Sequence, residues 1–321
     1  MHLTSLGTRQ PSAIRYAPSR REVWDAFVDA SRNGTFLFQR DYIDYHSERF
    51  QDFSLIIPAG DHVSALLPAN RDGDTVISHA GLTFGGLVLD GRATAERVIA
   101  MLSAIVEALR FEGIRTLVYK TLPTIYHRIP TEEDRYALFC LGAQLVRRDV
   151  LTVISPMSPW QPSSKRRWSW NREQRLTGVH MGTSNDWLGF WRVLCERLHE
   201  QYGASPTHSL EEIKSLAATF PAAIRLLTAT VNGEIAAGAV LYESTRVVRT
   251  QYLASNAHAR AHGLLDLVLK NAIANARMAG KWFDFGSSTR SDGTLNRGLA
   301  RYKESFGGRT VVQDSYCLDL T

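Results

Sequence analysis

The chain has 321 residues, of which 44% are hydrophobic and 21% are charged, and this composition argues against a disordered, collagen-like or coiled-coil protein. The length is enough to bury a sizeable core and suggests two domains of about 150 residues each. The formal net charge of +5 favours anionic ligands such as nucleotides and phosphates, and it is weak evidence for a nucleic-acid partner.

The sequence carries no signal for export, for a disulfide framework or for a metal site. No segment approaches about 18 uninterrupted apolar residues, and the N-terminal segment lacks the apolar core of a signal peptide. The three cysteines, Cys140, Cys195 and Cys317, are odd in number and far apart. We therefore expect a cytoplasmic protein with reduced thiols, no membrane span and no bound metal.

A segment rich in proline and serine, residues 156–164, lies close to the middle of the chain. Such a composition predicts an extended linker. We therefore expect an N-terminal domain at 1–155 and a C-terminal domain at 165–321.

In the first half, hydrophobic periodicity predicts a strand, two helices, a hairpin, another strand, a long helix, a further strand and a closing helix with two strands. The hairpin turns at Gly60, and the long helix ends at Gly113, as a glycine C-cap would end it. The predicted elements are, in chain order, 13–17, 19–31, 40–50, 53–57, 62–68, 75–80, 92–112 and 116–120.

The second half repeats this order. Ser209 and Glu212 have the spacing of a capping box, Asn232-Gly233 predicts a tight hairpin, and Gly280 ends the second long helix. The predicted elements are 178–182, 186–202, 209–219, 224–231, 234–241, 246–254, 260–279 and 282–286.

Landmarks of the first half recur in the second half in the same order and at nearly constant spacing. The sequence therefore predicts a tandem duplication. Each copy is expected to be an α/β domain whose central mixed sheet has helices on both faces, with ligands in a cleft between the copies or at splayed strands. The clearest matches are Trp24 with Trp191, Gly60 with Gly233, and Gly113 with Gly280.

This element order resembles the acyl-CoA N-acyltransferase (GNAT) fold, and the string GLARYKESFGG at 298–308 resembles a signature of its tandem-domain branch. That branch includes Fem-type peptidoglycan aminoacyltransferases and bacterial acyltransferases acting on nucleotide-linked amino sugars in surface-polysaccharide pathways. Two other stretches are similar to the sugar-modifying group: PTIYHR at 123–128, and Ser78-His79 followed by Gly85-Gly86. The resemblance implies two tandem GNAT-like domains that transfer an acyl group from acyl-CoA to the amine of a dTDP- or UDP-linked amino sugar, as in lipopolysaccharide biosynthesis.

The start of the second long helix carries the expected acyl-CoA site. A helix N-terminus offers unpaired amides to a pyrophosphate, and glycine allows close approach. Arg260 and Gly263 match the R-x-x-G half of the family's pyrophosphate pattern, although Leu265 stands where a small residue is expected. The first copy has no glycine at the matching place, so only the second copy is expected to bind CoA. The predicted cofactor contacts are Leu253, Ala254, Arg260, Ala261, His262, Gly263 and Leu264.

Acyl transfer to an amine requires loss of a proton from the amine, a polarised thioester carbonyl and close approach. A backbone N–H at the end of the strand around Leu253 and Ala254 is expected to polarise the carbonyl. His127 and His79 are the candidate bases, because the pKa of histidine lies near neutrality, and Glu133 is a third. The alternatives are ordinary hydrogen-bonded histidines and transfer by proximity, with water taking the proton.

Acceptor contacts are expected in both halves. The resemblance implies that Lys303, within the signature string, binds an anionic substrate, while Ser287 and Arg290 follow a strand end, where ligands often bind. His208 contacts the acceptor or only precedes a helix cap. The predicted substrate contacts are Tyr126, His208, Ser287, Arg290 and Lys303.

The basic stretch 165–175 interleaves arginines with Trp168 and Trp170, a pattern suited to nucleotide bases and phosphates. It fits a nucleotide-sugar acceptor or a tRNA donor equally, and the alternative is a solvated helix whose tryptophans pack inward. Two further functions stay open: a Fem-type transferase that uses aminoacyl-tRNA on a peptidoglycan precursor, and a non-catalytic basic binding protein. No stable nucleic-acid partner is expected in the first interpretation, and the sequence leaves open whether the chain forms a homodimer.

Overall fold

The computed structural model describes residues 11–173 and 178–321. The chain folds into two compact units. The first unit contains the residues up to Arg148 together with Gln313–Thr321, and the second contains Asp149–Val312. The chain therefore enters the second unit once and returns to the first for its last strand.

The predicted linker at 156–164 lies within the second unit. It has no helix or strand before Ser164, and its Trp160 indole donates a hydrogen bond to the Phe306 carbonyl at 2.6 Å. The segment is therefore packed onto the second unit.

The first unit begins with short strands and helices. Its helices are α1 (Arg21–Ala30), α2 (Arg40–Asp44), α3 (Ala95–Phe111) and α4 (Glu133–Cys140). Its strands are β1 (Ile14–Arg15), β2 (Gln51–Asp52), β3 (Leu55–Ala59), β4 (His62–Leu67), β5 (Asn70–Asp72), β6 (Thr75–Ile77), β7 (Val88–Leu89) and β8 (Thr116–Lys120).

Strand β9 (Gln144–Ile154) carries the chain into the second unit, and β15 (Arg309–Asp319) carries it back. The helices between them are α5 (Ser164–Glu173), α6 (Trp187–Tyr202), α7 (Leu210–Thr219), α8 (Ala257–Ala261), α9 (Leu264–Met278) and α10 (Arg297–Ser305). The strands between them are β10 (Val179–Ser184), β11 (Ile224–Val231), β12 (Glu234–Glu243), β13 (Val247–Ser255) and β14 (Trp282–Ser287).

Both units contain a mixed sheet, as predicted. In the second unit the strand order is β10-β11-β12-β13-β14-β9, and only β13 and β14 are parallel among the pairs recorded for the described strands. In the first unit, strands in the order β15-β8-β6-β5-β2 include the parallel pair β6–β8, and β1-β3-β4-β7 form an antiparallel sheet. The α/β prediction with a mixed sheet is thus confirmed.

Helices cover both faces of the sheet in the second unit. Buried Ala237 and Ala239 of β12 belong to the core that α9 covers. Between them, Gly238 points to the other face, where a Cβ would lie 2.7 Å from the Phe190 ring of α6. Small residues on β12 thus allow one helix to pack closely on each face of the strand.

The two long helices bury the faces that helical spacing predicts. In α3 and in α9 the apolar side chains at i, i+3 and i+4 positions are no more than 2% exposed, so packing rather than propensity stabilises both helices. The predicted and observed buried residues are Val98, Leu102, Ile105, Leu109, Leu264, Leu267, Val268 and Ile273.

The bounds of two predicted helices and the burial of one tryptophan need correction. The helix expected at 40–50 ends at Asp44, and the chain then forms turns. The helix expected from Arg260 is broken into α8 and α9, because Gly263 has a left-handed φ of 61° that interrupts the helical path. The helical spacing of Trp187 and Trp191 within 186–202 predicts that both lie in the core, but Trp187 is only half-buried, whereas Trp191 is buried.

In the first unit, the strands before and after the long helix have different neighbours. Strand β7 pairs with β4, and β8 pairs with β6. The segment 78–87, which leads into β7, is hydrogen-bonded to β8: the Ser78 amide donates to the Val118 carbonyl at 2.9 Å, and the Leu87 amide donates to the Tyr119 hydroxyl at 2.6 Å. This segment fills the space beside β8.

Helices of the described residues include none that is both long enough and apolar enough to cross a membrane.

Candidate functional site

The sheet of the second unit forks between β13 and β14. The last recorded pair of these parallel strands joins Arg249 to Asp284. Strand β13 continues to Ser255, still paired with β12, but the described residues give it no strand partner on the β14 side after Arg249. Backbone N–H and C=O groups between Thr250 and Ser255 therefore face an opening in the sheet.

A β-bulge lies at the mouth of this fork. In the β12–β13 ladder, Val240 faces Tyr252 and Leu241 faces Thr250, so Gln251 is the extra residue on β13. Bulges bend a strand and redirect its side chains, and they are common beside active sites. The bulge therefore places Tyr252 at the start of the unpaired stretch of β13.

Strand β13 leads into α8 and then α9. The Asn256 side chain accepts a hydrogen bond from the Ala259 amide at 2.9 Å, and Gly263, with its left-handed φ of 61°, is the N-cap of α9. The first N–H groups of a helix have no intrahelical partner and favour anions. The predicted cofactor residues 261–264 therefore surround the start of a long helix.

Arg260 is directed away from this helix start. Its guanidinium donates to the Ser255 carbonyl at 2.7 Å and lies 3.4 Å from the Glu200 carboxylate on α6. It lines a cavity of about 320 Å³ between α6 and the end of β13. The other residues that line this cavity are Val193, Glu196, Arg197, Glu200, Ser255, Asn256, Ala257 and His258.

An acidic side chain in the first turn of α9 is neutralised by its neighbours. The Asp266 carboxylate forms an ion pair with Arg166 of α5 and accepts a hydrogen bond from the Tyr302 hydroxyl at 2.7 Å. Because Arg166 offsets the charge of Asp266, the carboxylate does not cancel the positive end of the helix dipole.

A buried charge cluster holds the fork. Asp284, which is fully buried, accepts hydrogen bonds at 2.7 Å from both Arg249 and the Gly286 amide. Gly286 has a φ of 74°, and a Cβ there would lie 3.1 Å from the Arg249 guanidinium. The cluster thus fixes the turn at which β14 leaves β13.

Lys303 belongs to the same cluster. It is 4% exposed, and its Nζ donates to the Gly286 carbonyl at 2.9 Å and to the Ser287 carbonyl at 2.7 Å. Burial lowers the pKa of Lys303 to about 8, against the opposing effect of Asp284. The structure thus brings together two predicted substrate residues, Lys303 and Ser287.

Arg290 and His208 have other partners. Arg290 is exposed and donates to the Leu295 carbonyl at 3.0 Å, within its own turn. His208 is 4% exposed, and its Nδ1 lies 2.5 Å from the Tyr252 hydroxyl. His208 also precedes the predicted capping box, in which Ser209 and Glu212 satisfy each other's amides.

In the first unit, His79 is buried in the segment that fills the space beside β8. It is 1% exposed and lies against the His46 ring, with centroids 5.2 Å apart, and Phe50. Burial, with smaller effects from His46, Lys120 and Arg40, lowers the pKa of His79 to about 3. A group with so low a pKa is a poor general base near neutral pH.

The loop that follows β8 holds the other predicted residues of the first unit. Burial lowers the pKa of His127 to about 4, against an opposing hydrogen bond to the Leu122 carbonyl. Glu133 forms an ion pair with Arg32 at 2.8 Å, and the Tyr126 ring is buried against Phe84. Tyr126, His127 and Glu133 thus lie between the end of β8 and the first residue of α4, and His79 lies in a separate aromatic cluster.

The basic stretch 165–175 falls partly on residues 174–177, which lie outside the described part of the chain. Within α5, the Trp170 ring is buried against Trp160 and Phe306, as the inward-packing alternative predicts for this residue. Trp168 is 63% exposed, and Lys165 and Arg167 are exposed on the same helix.

Sequence reasoning missed the Arg249–Asp284 pair and the side chain of Tyr252. Each of these residues lies within a predicted strand, and the sequence pattern of a strand does not distinguish a buried charged residue or a tyrosine at the candidate site from an ordinary strand residue. Arg249 and Asp284 can be recognised as a pair only from the register of β13 and β14, which the folded sheet shows and the sequence does not.

A scan against protein-family models matches residues 163–304 to a model described as an acetyltransferase (GNAT) domain. The match covers most of the second unit, and the family similarity is therefore to that unit. No curated protein sequence matches the chain significantly.

Solved structures of low sequence identity share the fold of nearly the whole chain. FemX aligns with a TM-score of 0.66 and 11% identity, over 94% of this chain and 96% of that one. The C-terminal domain of a putative lysylphosphatidylglycerol synthetase from Agrobacterium fabrum aligns with a TM-score of 0.63 and 13% identity, over 94% and 92%. A tandem GNAT protein from the clavulanic acid biosynthesis pathway aligns with a TM-score of 0.51 and 11% identity, over 97% and 99%. These similarities confirm the GNAT-like fold that the sequence predicts.

Proposed function

We propose that this protein is an N-acyltransferase that moves an acyl group from acyl-CoA to the amine of a dTDP- or UDP-linked amino sugar. The observation that carries the proposal is the fork between β13 and β14, which opens after the Arg249–Asp284 pair and leads through Ser255 to the start of α9. The match of residues 163–304 to a GNAT acetyltransferase domain supports an acyltransferase.

The residues at the fork fit an acyl-CoA donor. The amide chain of the donor needs hydrogen-bonding backbone, and residues 250–254 offer it where the described strands give β13 no partner on the β14 side. The diphosphate needs amides and a positive field, and the start of α9 after Gly263 offers both. Leu253 and Ala254 lie on this stretch, where a backbone N–H can polarise the thioester carbonyl.

Among the described residues of the first unit, none leaves such an opening beside β8. Its segment 78–87 is hydrogen-bonded to β8, and α3 begins at Ala95 with a Thr94 cap instead of a left-handed glycine. We therefore assign the donor to the second unit only.

On the acceptor side, Lys303 and Ser287 are the residues that we assign to an anionic substrate. Lys303, on α10, donates hydrogen bonds to the carbonyls of Gly286 and Ser287 at the end of β14. Arg290 lies three residues after that strand. A cation at the end of a strand next to an opened sheet suits the phosphates of a nucleotide.

Calorimetry with CoA tests the donor site. Wild-type protein is expected to bind CoA, and Gly263→Trp is expected to abolish binding by filling the helix start. Gly280→Trp is the matched control, because Gly280 is also left-handed, with a φ of 69°, but lies after the other end of α9. Equal CoA affinity for wild type and Gly263→Trp would refute the donor site.

A thiol-release assay identifies the acceptor. Acetyl-CoA is supplied with a panel of dTDP- and UDP-linked amino sugars, and the amino-sugar proposal predicts release that depends on one of them. If the protein binds CoA but releases no thiol with any sugar of the panel, dTDP- and UDP-linked amino sugars are excluded as acceptors, while the assignment of the CoA site still stands.

A second candidate is transfer from aminoacyl-tRNA. It is favoured by the exposed Trp168 on α5, next to exposed Lys165 and Arg167, which together could stack on a base and contact phosphates. If charged tRNA supports transfer and acetyl-CoA releases no thiol, this function replaces the first.

A further inference from the structure

Tyr252 and His208 form a hydrogen-bonded pair on the α6 side of the fork. The Tyr252 hydroxyl oxygen lies 2.5 Å from His208 Nδ1 and accepts a hydrogen bond from the His208 backbone amide at 3.2 Å. Because the amide already supplies one hydrogen to this oxygen, the phenol hydrogen can point at Nδ1. The hydroxyl thus has one hydrogen to give to the imidazole, and once that hydrogen has moved its oxygen can take up another.

The pair is held rigidly from both sides. The Trp191 ring packs edge-on against Tyr252, with centroids 5.3 Å apart. His208 is 4% exposed and is followed at once by the capping box of α7, in which the Ser209 amide donates to the Glu212 carboxylate at 2.7 Å. Two elements far apart in the sequence therefore fix the distance between the hydroxyl and the imidazole.

The pair also stands where acyl transfer would take place. Tyr252 is the first residue after the bulge of β13, on the stretch that has left β14. Its neighbour Leu253 packs into the core under α9, so alternation places the Tyr252 side chain on the opposite face, with α6. An amine that reaches the fork from the α6 side meets the Tyr252 hydroxyl.

We propose that Tyr252 and His208 form a proton relay that carries the proton of the acceptor amine to the sulfur of the departing CoA. The relay rests on the proposed acyl transfer and names the groups that move its proton. Tyr252 is the group that touches the reacting atoms, and His208 acts through it.

The relay balances atoms and charge. The amine nitrogen forms a bond to the thioester carbon and gives its proton to the Tyr252 oxygen, while the phenol hydrogen passes to His208 Nδ1. The C–S bond then breaks and the electron pair stays on sulfur. The Tyr252 hydroxyl protonates this thiolate and recovers a hydrogen from His208, so the products are an amide, free CoA thiol and the original pair.

The protonation state of Tyr252 agrees with this role. Burial raises the pKa of Tyr252, although hydrogen bonds from His208, Thr207 and Gln251 act against the shift. The hydroxyl therefore keeps its hydrogen at neutral pH, as a relay requires.

The test measures thiol release from acetyl-CoA with the pooled panel of dTDP- and UDP-linked amino sugars. Tyr252→Phe keeps the ring against Trp191 and removes the hydroxyl, and His208→Asn removes the imidazole. Each variant is expected to lose about 10²-fold in kcat, with the KM for acetyl-CoA and the CoA affinity unchanged. The double variant is expected to lose no more than either single variant, because the two groups act as one unit.

Ser209→Ala is the matched control. It removes the capping box and loosens the same loop without touching the pair, so a lower melting temperature with a normal kcat is expected. If the single losses multiply in the double variant, or if Ser209→Ala lowers kcat as much as His208→Asn, the pair only anchors the loop and the relay is wrong.

Normal kcat in Tyr252→Phe with intact CoA binding would overturn the relay and leave the proposed function standing. Wild-type protein that fails to bind CoA would instead overturn the proposed function itself. Wild-type protein that binds CoA but releases no thiol with any acceptor would overturn the relay for these substrates.

Discussion

Arg249 and Asp284 form an ion pair, with 2.7 Å between Nη1 and Oδ2, at the last position where β13 and β14 are paired. The carboxylate has no exposed surface, and it also accepts the amide of Gly286, where the chain turns away. The pair therefore closes the fork at its base and sets the direction in which β14 leaves.

Removing one member of this pair should strongly destabilise the protein. Arg249→Met leaves a buried carboxylate without its cation, and breaking such pairs costs about 3–5 kcal/mol of unfolding free energy. Urea unfolding at pH 7 measures the loss. The double variant Arg249→Met/Asp284→Leu removes both charges and should regain a large part of it, and a double variant as unstable as the single one would contradict this account.

Lys303 should make stability rise with pH in the alkaline range. Its folded-state pKa is about 8, below the ordinary lysine value of 10.5, because burial disfavours the charged form. Between these two values the unfolded chain binds more protons than the folded chain, so stability increases with pH. The lowered pKa of Lys303 corresponds to a gain of about 3 kcal/mol in unfolding free energy across this pH range.

The measurement compares wild type with Lys303→Met in urea at pH 7 and pH 10. The variant should lose this pH-dependent gain, while groups unrelated to Lys303 change both proteins alike. Parallel stability curves for the two proteins would show that Lys303 does not titrate in this range.

Acid should weaken the first unit through the buried histidines His79 and His127. The folded-state pKa values of His79 and His127 are about 3 and about 4, both below the ordinary histidine value of 6.5. Below pH 6.5 the unfolded chain therefore binds up to two more protons, and stability falls as pH falls. At pH 5 each histidine is expected to cost about 2 kcal/mol relative to pH 7.5.

The variants His79→Asn and His127→Asn isolate each contribution. The slope of unfolding free energy against pH measures how many more protons the unfolded chain binds than the folded chain. Each variant should lower this number by about one between pH 6 and pH 4.5. Unchanged slopes in both variants would mean that the imidazoles are already protonated in the folded chain.

The segment 78–87 should tolerate no side chain at Gly85. A Cβ at this position would lie 1.5 Å from the Ser78 carbonyl oxygen, so Gly85→Ala forces the backbone apart and is expected to cost more than about 3 kcal/mol. Gly91 is the control: no atom lies within 4 Å of its Cβ position and its φ is not left-handed, so Gly91→Ala should leave stability within about 1 kcal/mol. Thermal unfolding compares the two, and similar melting temperatures would contradict the close approach.

Much of the architecture follows from local signals in the sequence. The tight turn at Asn232-Gly233 is observed with both residues at positive φ, of 53° and 86°, and glycines follow α3 and α9 as predicted. The candidate site is only partly visible in this way. Gly263 can be identified in the sequence because it lies near the start of a predicted helix. However, hydrophobic periodicity predicts one continuous helix there, and the left-handed φ of Gly263 divides it into α8 and α9.

The sequence by itself determined the order of elements, the buried faces of the long helices and the glycine at the start of α9, because these depend on residues within a few positions of each other. Only the tertiary structure decided where β13 parts from β14, and that His208 meets Tyr252 while Arg260 turns to Glu200. It also decided that the predicted bases His79 and His127 are buried, with lowered pKa values. The physical reason is that strand register, burial and electrostatic environment arise from groups brought together across long separations in the chain, which no local pattern encodes.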